Sequence, residues 1–412
     1  MIRLIPALIL NLILLACTSP SEKDSTVLKE GLWRATLSIQ HQELPFNFEI
    51  RKDSTGQYVI YLINAAERLK LDDISFSKDS VTIPLHIFDA SIRAKIEGSN
   101  LTGTYTKHYE KDYRVPFHAE YGKPYRFKVS DDNVVTKNYT GTYSVTIFKE
   151  KGTTPAVGVF QQTADSVTGT FLTPTGDYRF LQGNIIGDSM FLSTFDGNNM
   201  YLFKAGFKND STLEGNFYSG KTSLRPWVAH RDDTASLPEQ SITFLKDGYD
   251  EVSFTFPDVN GNNISLSDDK YKGKVVILQI FGTWCPNCMD ETKFLAPWYK
   301  QNHRRGVEII GLAFERKPDF NYASTRVKKM IDKLDVDYDF VIAGTNNKES
   351  TAEALPMLTN VSAYPTTIFI GKDGKVKKIH TGFSGPGTGV YYEHFKEEFN
   401  ETINNLLKEE TP

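Results

Sequence analysis

Cys285 and Cys288 stand three residues apart, with Trp284 before them and Pro286-Asn287 between. The run 275–281 (VVILQIF) is apolar and β-branched, as a buried strand requires, and Gly282-Thr283-Trp284 reads as a turn into a helix that starts at Cys285. A thiol at the first helical position meets unpaired backbone N–H groups and the positive end of the helix dipole, both of which favour thiolate. Cys285 is therefore the expected nucleophile. Cys288, close to one turn later, faces the same side and lies deeper, so it is the expected resolving thiol. Such a couple supports disulfide exchange, in which the first sulfur forms a mixed disulfide and the second displaces it. Pro286 suits a first helical turn, where its missing N–H costs nothing. A zinc site would need two more Cys or His ligands at suitable spacing, and the eight His residues are scattered, so no metal is expected. A static staple closing so small a loop would stabilise little. No cofactor is expected beyond a redox-active Cys285–Cys288 disulfide.

The elements around this couple differ along the chain. Residues 31–228 carry short period-2 runs rich in Tyr, Phe, Val, Ile and Thr, separated by Gly, Asp, Asn and Ser, which predicts an antiparallel β-rich domain, a sandwich or barrel. Examples are 32–39, 57–63, 80–88, 143–148 and 199–207. Asp79-Ser80 recurs as Asp188-Ser189, Phe88-Asp89 as Phe195-Asp196, and Gly103-x-Tyr105 as Gly215-x-Phe217. These echoes raise two halves, 31–122 and 138–228, although turn signals of this kind are generic. Residues 229–246 read as a linker. From 247 to 412 strands and helices alternate, which predicts an α/β sheet with helices packed on it. The expected chain is thus multidomain, all-β first and α/β second.

The chain has 412 residues and a formal net charge of -4, with no dense basic run, so a nucleic-acid partner is not expected. Its third cysteine, Cys17, ends the only apolar run that suggests targeting. Met1 to Arg3 gives a basic start, and residues 4–15 are too short for a membrane-spanning helix, which takes about 20. The segment resembles a bacterial lipoprotein signal. That resemblance implies cleavage after residue 16, lipid on Cys17, a polar tether over 17–30, and a protein held to a membrane facing periplasm or cell exterior.

Residues 253–291 (SFTFPDVNGNNISLSDDKYKGKVVILQIFGTWCPNCMDE) resemble the opening of the thioredoxin-like domain in the TlpA/ResA-like branch of membrane-anchored thiol-disulfide oxidoreductases, and the likeness runs to the end of the chain. It implies an enzyme that reduces or isomerises protein disulfides, a transmembrane thiol relay as electron donor, and clients that include cytochrome c precursors. It also implies that Tyr364 and a cis Pro365, with Trp284, bind the substrate. Glu291 matches the branch's acidic position, which gives it proton exchange with Cys288; the competing expectation is a solvated acid beside Asp290. Gln279 stands where thioredoxins proper carry a buried Asp and cannot titrate. Lys293 replaces a proline that relatives often carry there, with Pro297 one turn later. The Gly-rich run 382–389 reads as a plain loop, and His380 as a surface strand residue. Two other functions stay open. Peroxide reduction is disfavoured by Gly282, where peroxiredoxins place Thr or Ser. The other is a ligand- or partner-binding surface lipoprotein with an auxiliary redox domain.

Overall fold

The structure, a computed structural model, describes residues 27–237 and 242–410. Cys17 and the expected signal lie outside the described residues. The stretch expected to be tether already packs at its end, where Leu28 is buried and Trp33 Nε1 donates to the Lys29 carbonyl at 2.9 Å.

Nine strands between 31 and 121 form one antiparallel sheet, and nine between 141 and 231 form another. Alternation sets which face is buried: Ala90–Glu97 (ASIRAKIE) buries Ala90, Ile92, Ala94 and Ile96 and turns Arg93, Lys95 and Glu97 outward. The sheets repeat one another strand for strand. Ser80 and Ser189 open the sixth strands, Ser80–Pro84 and Ser189–Phe195. Gly103 and Gly215 fall in the eighth, Asn100–Lys107 and Thr212–Ser219, each paired with an alanine of the seventh. Both glycines answer one packing need, because an added Cβ would lie 2.0 Å from the Arg93 carbonyl oxygen or 2.3 Å from that of Lys204. The run 80–88 is strand only to Pro84; Leu85 to Phe88 turn, with Leu85, Ile87 and Phe88 buried.

The repeats differ in closure. In the second, the third strand, Ser166–Thr173, pairs with both Thr153–Thr163 and Leu181–Ile186 and completes a barrel. In the first, no pairing among the described residues joins Glu67–Leu71 to Ser75–Ser77, and the sheet stays a half-barrel. The closed barrel has its own core, in which Phe203 stacks on Phe217 at 4.2 Å beside Phe171 and Trp227. The half-barrel shares its core, which runs through Phe195, Met200 and Leu202 of the barrel into Cys288, Met289, Leu295 and Val327.

The C-terminal sheet has spatial order Asp339–Thr345, Val307–Glu315, Val275–Phe281, Thr366–Ile370, Val376–Thr381; the first three are parallel and the last two antiparallel. Around it lie helices α1 (Pro286–Asn302), α2 (Phe320–Leu334), α3 (Lys348–Ala354) and α4 (Val390–Lys408). Pro297 sits inside α1, which continues past it to Asn302. This is the thioredoxin-like α/β domain that the sequence predicts. The last barrel strand runs to Arg231, three residues into the expected linker, and Leu245 bridges Leu358 on the α/β domain. Helix α2 is pinned at the gap of the half-barrel. Lys333 pairs with Asp72 at 2.5 Å and Asp73 at 3.0 Å, Lys329 with Asp73 at 3.0 Å, and Tyr322 donates to Asp89 at 2.9 Å.

Candidate active site

The strand Val275–Phe281 is buried along its whole length and delivers the chain to a tight turn. Gly282 is needed there because the Trp284 ring folds back over it; a Cβ would lie 2.1 Å from Trp284 Nε1. That nitrogen donates to the Phe314 carbonyl at 2.9 Å. Buried Glu315 fixes the turn from beside it, accepting from Thr283 N at 2.8 Å and Thr283 Oγ1 at 3.0 Å.

Cys285 is the N-cap of α1 and not its first helical residue as expected, because Pro286 takes that first place, where a missing N–H is tolerated. Its sulfur accepts from the Cys288 backbone N–H at 3.3 Å, the capping hydrogen bond of the helix. The Cys285 Sγ also lies 3.3 Å from the Tyr364 carbonyl oxygen, and the Tyr364–Pro365 peptide is cis. The two sulfurs are unbridged, Cys285 6 % exposed and Cys288 0 %. Burial pushes the Cys288 thiol well above its ordinary value, with the hydrogen bond to Cys285 and the Glu291 charge adding to it. Cys288 therefore stays protonated until a base takes its proton.

Glu291 is not a solvated acid. It is 1 % exposed, with Oε1 accepting from Thr367 at 2.6 Å and Oε2 from Gln279 Nε2 at 2.8 Å. Gln279 in turn accepts from Tyr338 at 3.0 Å. Burial raises Glu291 to about 7, against the two hydrogen bonds that lower it. Below that pH it holds a proton, and above it the group is a carboxylate. In Glu291→Gln the resolving step should slow roughly a hundredfold and lose its rise near pH 7; rapid quenching of the mixed disulfide measures this. Stability follows with a definite sign. The folded state holds this proton more tightly than the unfolded chain, whose carboxyl has the ordinary value 4.5. The contribution is therefore complete below that value and lost as pH rises towards 7, on the order of 3 kcal/mol. Glu291→Gln should flatten that part of the curve in urea titrations.

Several site residues come from segments that carry no motif. Asn198, between barrel strands, donates to the Trp284 carbonyl at 2.8 Å and accepts from Tyr109 of the half-barrel at 2.8 Å. The Arg316 guanidinium lies 4.0 Å above the Trp284 ring. Asn287 donates to the Asp177 carbonyl at 3.1 Å. Asp290 is buried too, paired with Arg179 at 2.7 Å; Arg179 also meets Glu67 at 2.5 Å and Asp196 at 3.0 Å. Burial would lower the Arg179 value, and the three carboxylates reverse that and hold it well above its ordinary range. The run 382–389 is more than a connector: Gly385 N donates to Asp177 at 2.5 Å and Asp177 N to Phe383 O at 3.3 Å. His380 is partly buried against Phe395, at 5.5 Å between rings, not a free surface residue.

A buried strand feeding a helix-capping Cys-x-x-Cys that faces a cis-proline defines a thiol-disulfide oxidoreductase of the thioredoxin-like fold. Residues 248–393 match the Redoxin family. Thiol-disulfide oxidoreductase ResA of Bacillus subtilis (strain 168) is 32% identical over 138 residues, covering 34% of this chain and 69% of that protein. ResA of Halalkalibacterium halodurans is 30% identical over 156 residues, covering 38% and 76%. A solved thioredoxin-family thiol:disulfide interchange protein from Chlorobium tepidum TLS is 22% identical, covering 39% of this chain and 99% of that one, with TM-score 0.30. The chain belongs to the ResA-like family of thiol-disulfide oxidoreductases.

Proposed function

We propose that this protein reduces or isomerises protein disulfides outside the cytoplasm through Cys285 and Cys288, held to a bacterial membrane by lipid on Cys17. The observation that carries the redox part is the Cys285 sulfur at the N-terminus of α1, accepting from the Cys288 N–H beside the Tyr364 carbonyl. The anchor rests on the sequence of the first seventeen residues.

In the cycle, Cys285 thiolate attacks one sulfur of a client disulfide, the client S–S bond breaks, and the departing client thiolate takes a proton. Cys288 gives its proton to the Glu291 carboxylate and attacks Cys285, releasing the second client thiol. Two electrons have then passed to the client, and the Cys285–Cys288 disulfide awaits a thiol donor, for which a transmembrane thiol relay is proposed. Trp284, Tyr364 and Pro365 line the approach to Cys285 and supply the substrate contact.

Cys288→Ala removes the resolving sulfur. Cells carrying this variant should accumulate Cys285-linked mixed disulfides, seen as adducts that collapse on reduction, and mass spectrometry of the adducts gives the clients. No adduct above the level of a Cys285→Ser, Cys288→Ala control would contradict disulfide exchange with proteins. Lipid on Cys17 is checked separately by fatty-acid labelling, which Cys17→Ser should abolish.

A further inference from the structure

Isolated Cys-x-x-Cys sites work by meeting a client surface, yet this one is roofed by the barrel. Cys285 keeps 6 % of its surface, and Pro286, Asn287 and Cys288 are buried. Asn198 and Tyr109 close over the Trp284 carbonyl, immediately before the nucleophile. Asp177 closes over Asn287, inside the Cys-x-x-Cys itself. The approach is close and needs glycines: a Cβ at Gly382 would lie 2.8 Å from Gly176 N and one at Gly387 2.8 Å from the Arg179 carbonyl carbon, both backbone atoms, and one at Gly176 2.6 Å from the Asn287 side-chain Nδ2. Three glycines at one seam, together with a buried arginine bridging barrel, half-barrel and α/β domain, mark a contact built into the fold. Behind the roof, Tyr364 Oη and Arg316 Nε are buried without a hydrogen-bond partner among the described residues. Such donors cost stability unless something that arrives satisfies them.

Resting on the proposed exchange at Cys285, we infer that barrel segments 173–179 and 196–199 are a selectivity cap. The cap admits disulfides carried on an extended chain segment and excludes those set in the surface of a folded protein. An extended segment presents far less bulk to the cap than a folded surface does, and its carbonyl groups are acceptors for Tyr364 Oη and Arg316 Nε, which are buried without a partner among the described residues. A folded client cannot bring its sulfur within bonding distance of Cys285 while Asn198 and Asp177 occupy the same face. Asn198 and Gly387 act here as positioning residues, through the cap.

The test uses the full chain, reduced, with three probes: the small disulfide DTNB, a short unstructured peptide with one disulfide, and native insulin. Wild type should reduce DTNB and the peptide readily and insulin slowly. Gly387→Leu places a side chain against the Arg179 backbone and should wedge the seam open without removing any charged group. Its insulin rate should rise about tenfold, the shift in open population expected from losing about one hydrogen bond, while the DTNB rate is unchanged. Asn198→Ala should raise the insulin-to-DTNB ratio in the same direction. Alkylation of wild-type Cys285, read by peptide mapping, should be fast with iodoacetamide and slow with a maleimide on a large polymer, and Gly387→Leu should narrow that gap. An insulin-to-DTNB ratio equal in all three proteins would overturn the cap and leave the exchange activity standing. Failure of every protein to reduce DTNB would instead overturn the exchange activity, and the cap with it.

Discussion

Cys285→Ser should reduce DTNB turnover by roughly three orders of magnitude or more, because the hydroxyl that replaces the thiol is neither ionised at neutral pH nor able to form a mixed disulfide. The loss should be chemical and not structural. The side chain is small, an oxygen at this position can still accept the Cys288 N–H, and the turn stays held by Glu315 and by the Trp284 contact to Phe314. Circular dichroism and the urea midpoint should therefore match wild type while activity vanishes. Cys288→Ala should differ from it by retaining the first step, giving a single turnover that stops at the mixed disulfide. Substantial turnover by Cys285→Ser would place the chemistry elsewhere.

Arg179→Met should be the most destabilising single change at the interface. It removes the one cation that Glu67, Asp196 and Asp290 share, all buried. Breaking a buried ionic cluster from one side costs about 3–5 kcal/mol, most of it the penalty of leaving charge uncompensated. The pH dependence follows from the sign of that penalty. Burial already raises Glu67 from its ordinary 4.5, and without Arg179, whose charge lowers it, this carboxyl should rise further. Acids with raised folded values stabilise at low pH and lose that contribution as pH rises, so the deficit of Arg179→Met should be large at neutral pH and shrink towards pH 4.5. Adding Glu67→Gln, Asp196→Asn and Asp290→Asn should recover much of it at neutral pH. Urea titrations of the three proteins at two pH values decide the point, and a deficit independent of pH would show that lost packing, not charge, carries the effect.

The chemistry at Cys285 was legible in the sequence because it is local. Strand, turn, proline and second thiol lie within fourteen residues, and hydrophobic periodicity with capping rules is enough to join them. Pro286 even marks the helix boundary, and reading it strictly would have made Cys285 the cap. Glu291 could not be settled in the same way. Acids are common near helix starts, and what buries this one is Thr367, seventy-six residues away. The cap was invisible for a stronger reason: Asn198 reaches Trp284 across eighty-six residues and Arg179 reaches Asp290 across one hundred and eleven. Neither residue stands in a periodic pattern or a motif. Glycines at 382 and 387 looked like ordinary loop punctuation, since nothing in a single chain of letters says which backbone will approach them. The paired turn signals raised a repeat without deciding it, because such signals are generic, and the difference in closure depends on one strand pairing that left no trace in composition.

That difference also sets an order of completion during synthesis. The half-barrel precedes the other two units along the chain, yet its core is finished by residues of the barrel and of the α/β domain, both made after it. The closed barrel needs only itself for its core. Of the three units, the one translated ahead of the others is thus the last to be fully covered, and its apolar face waits, unpaired at one edge, for the later units to arrive. Maturation of the thiol site and burial of the first sheet are in this sense a single event, and a chain truncated before α2 would lack both.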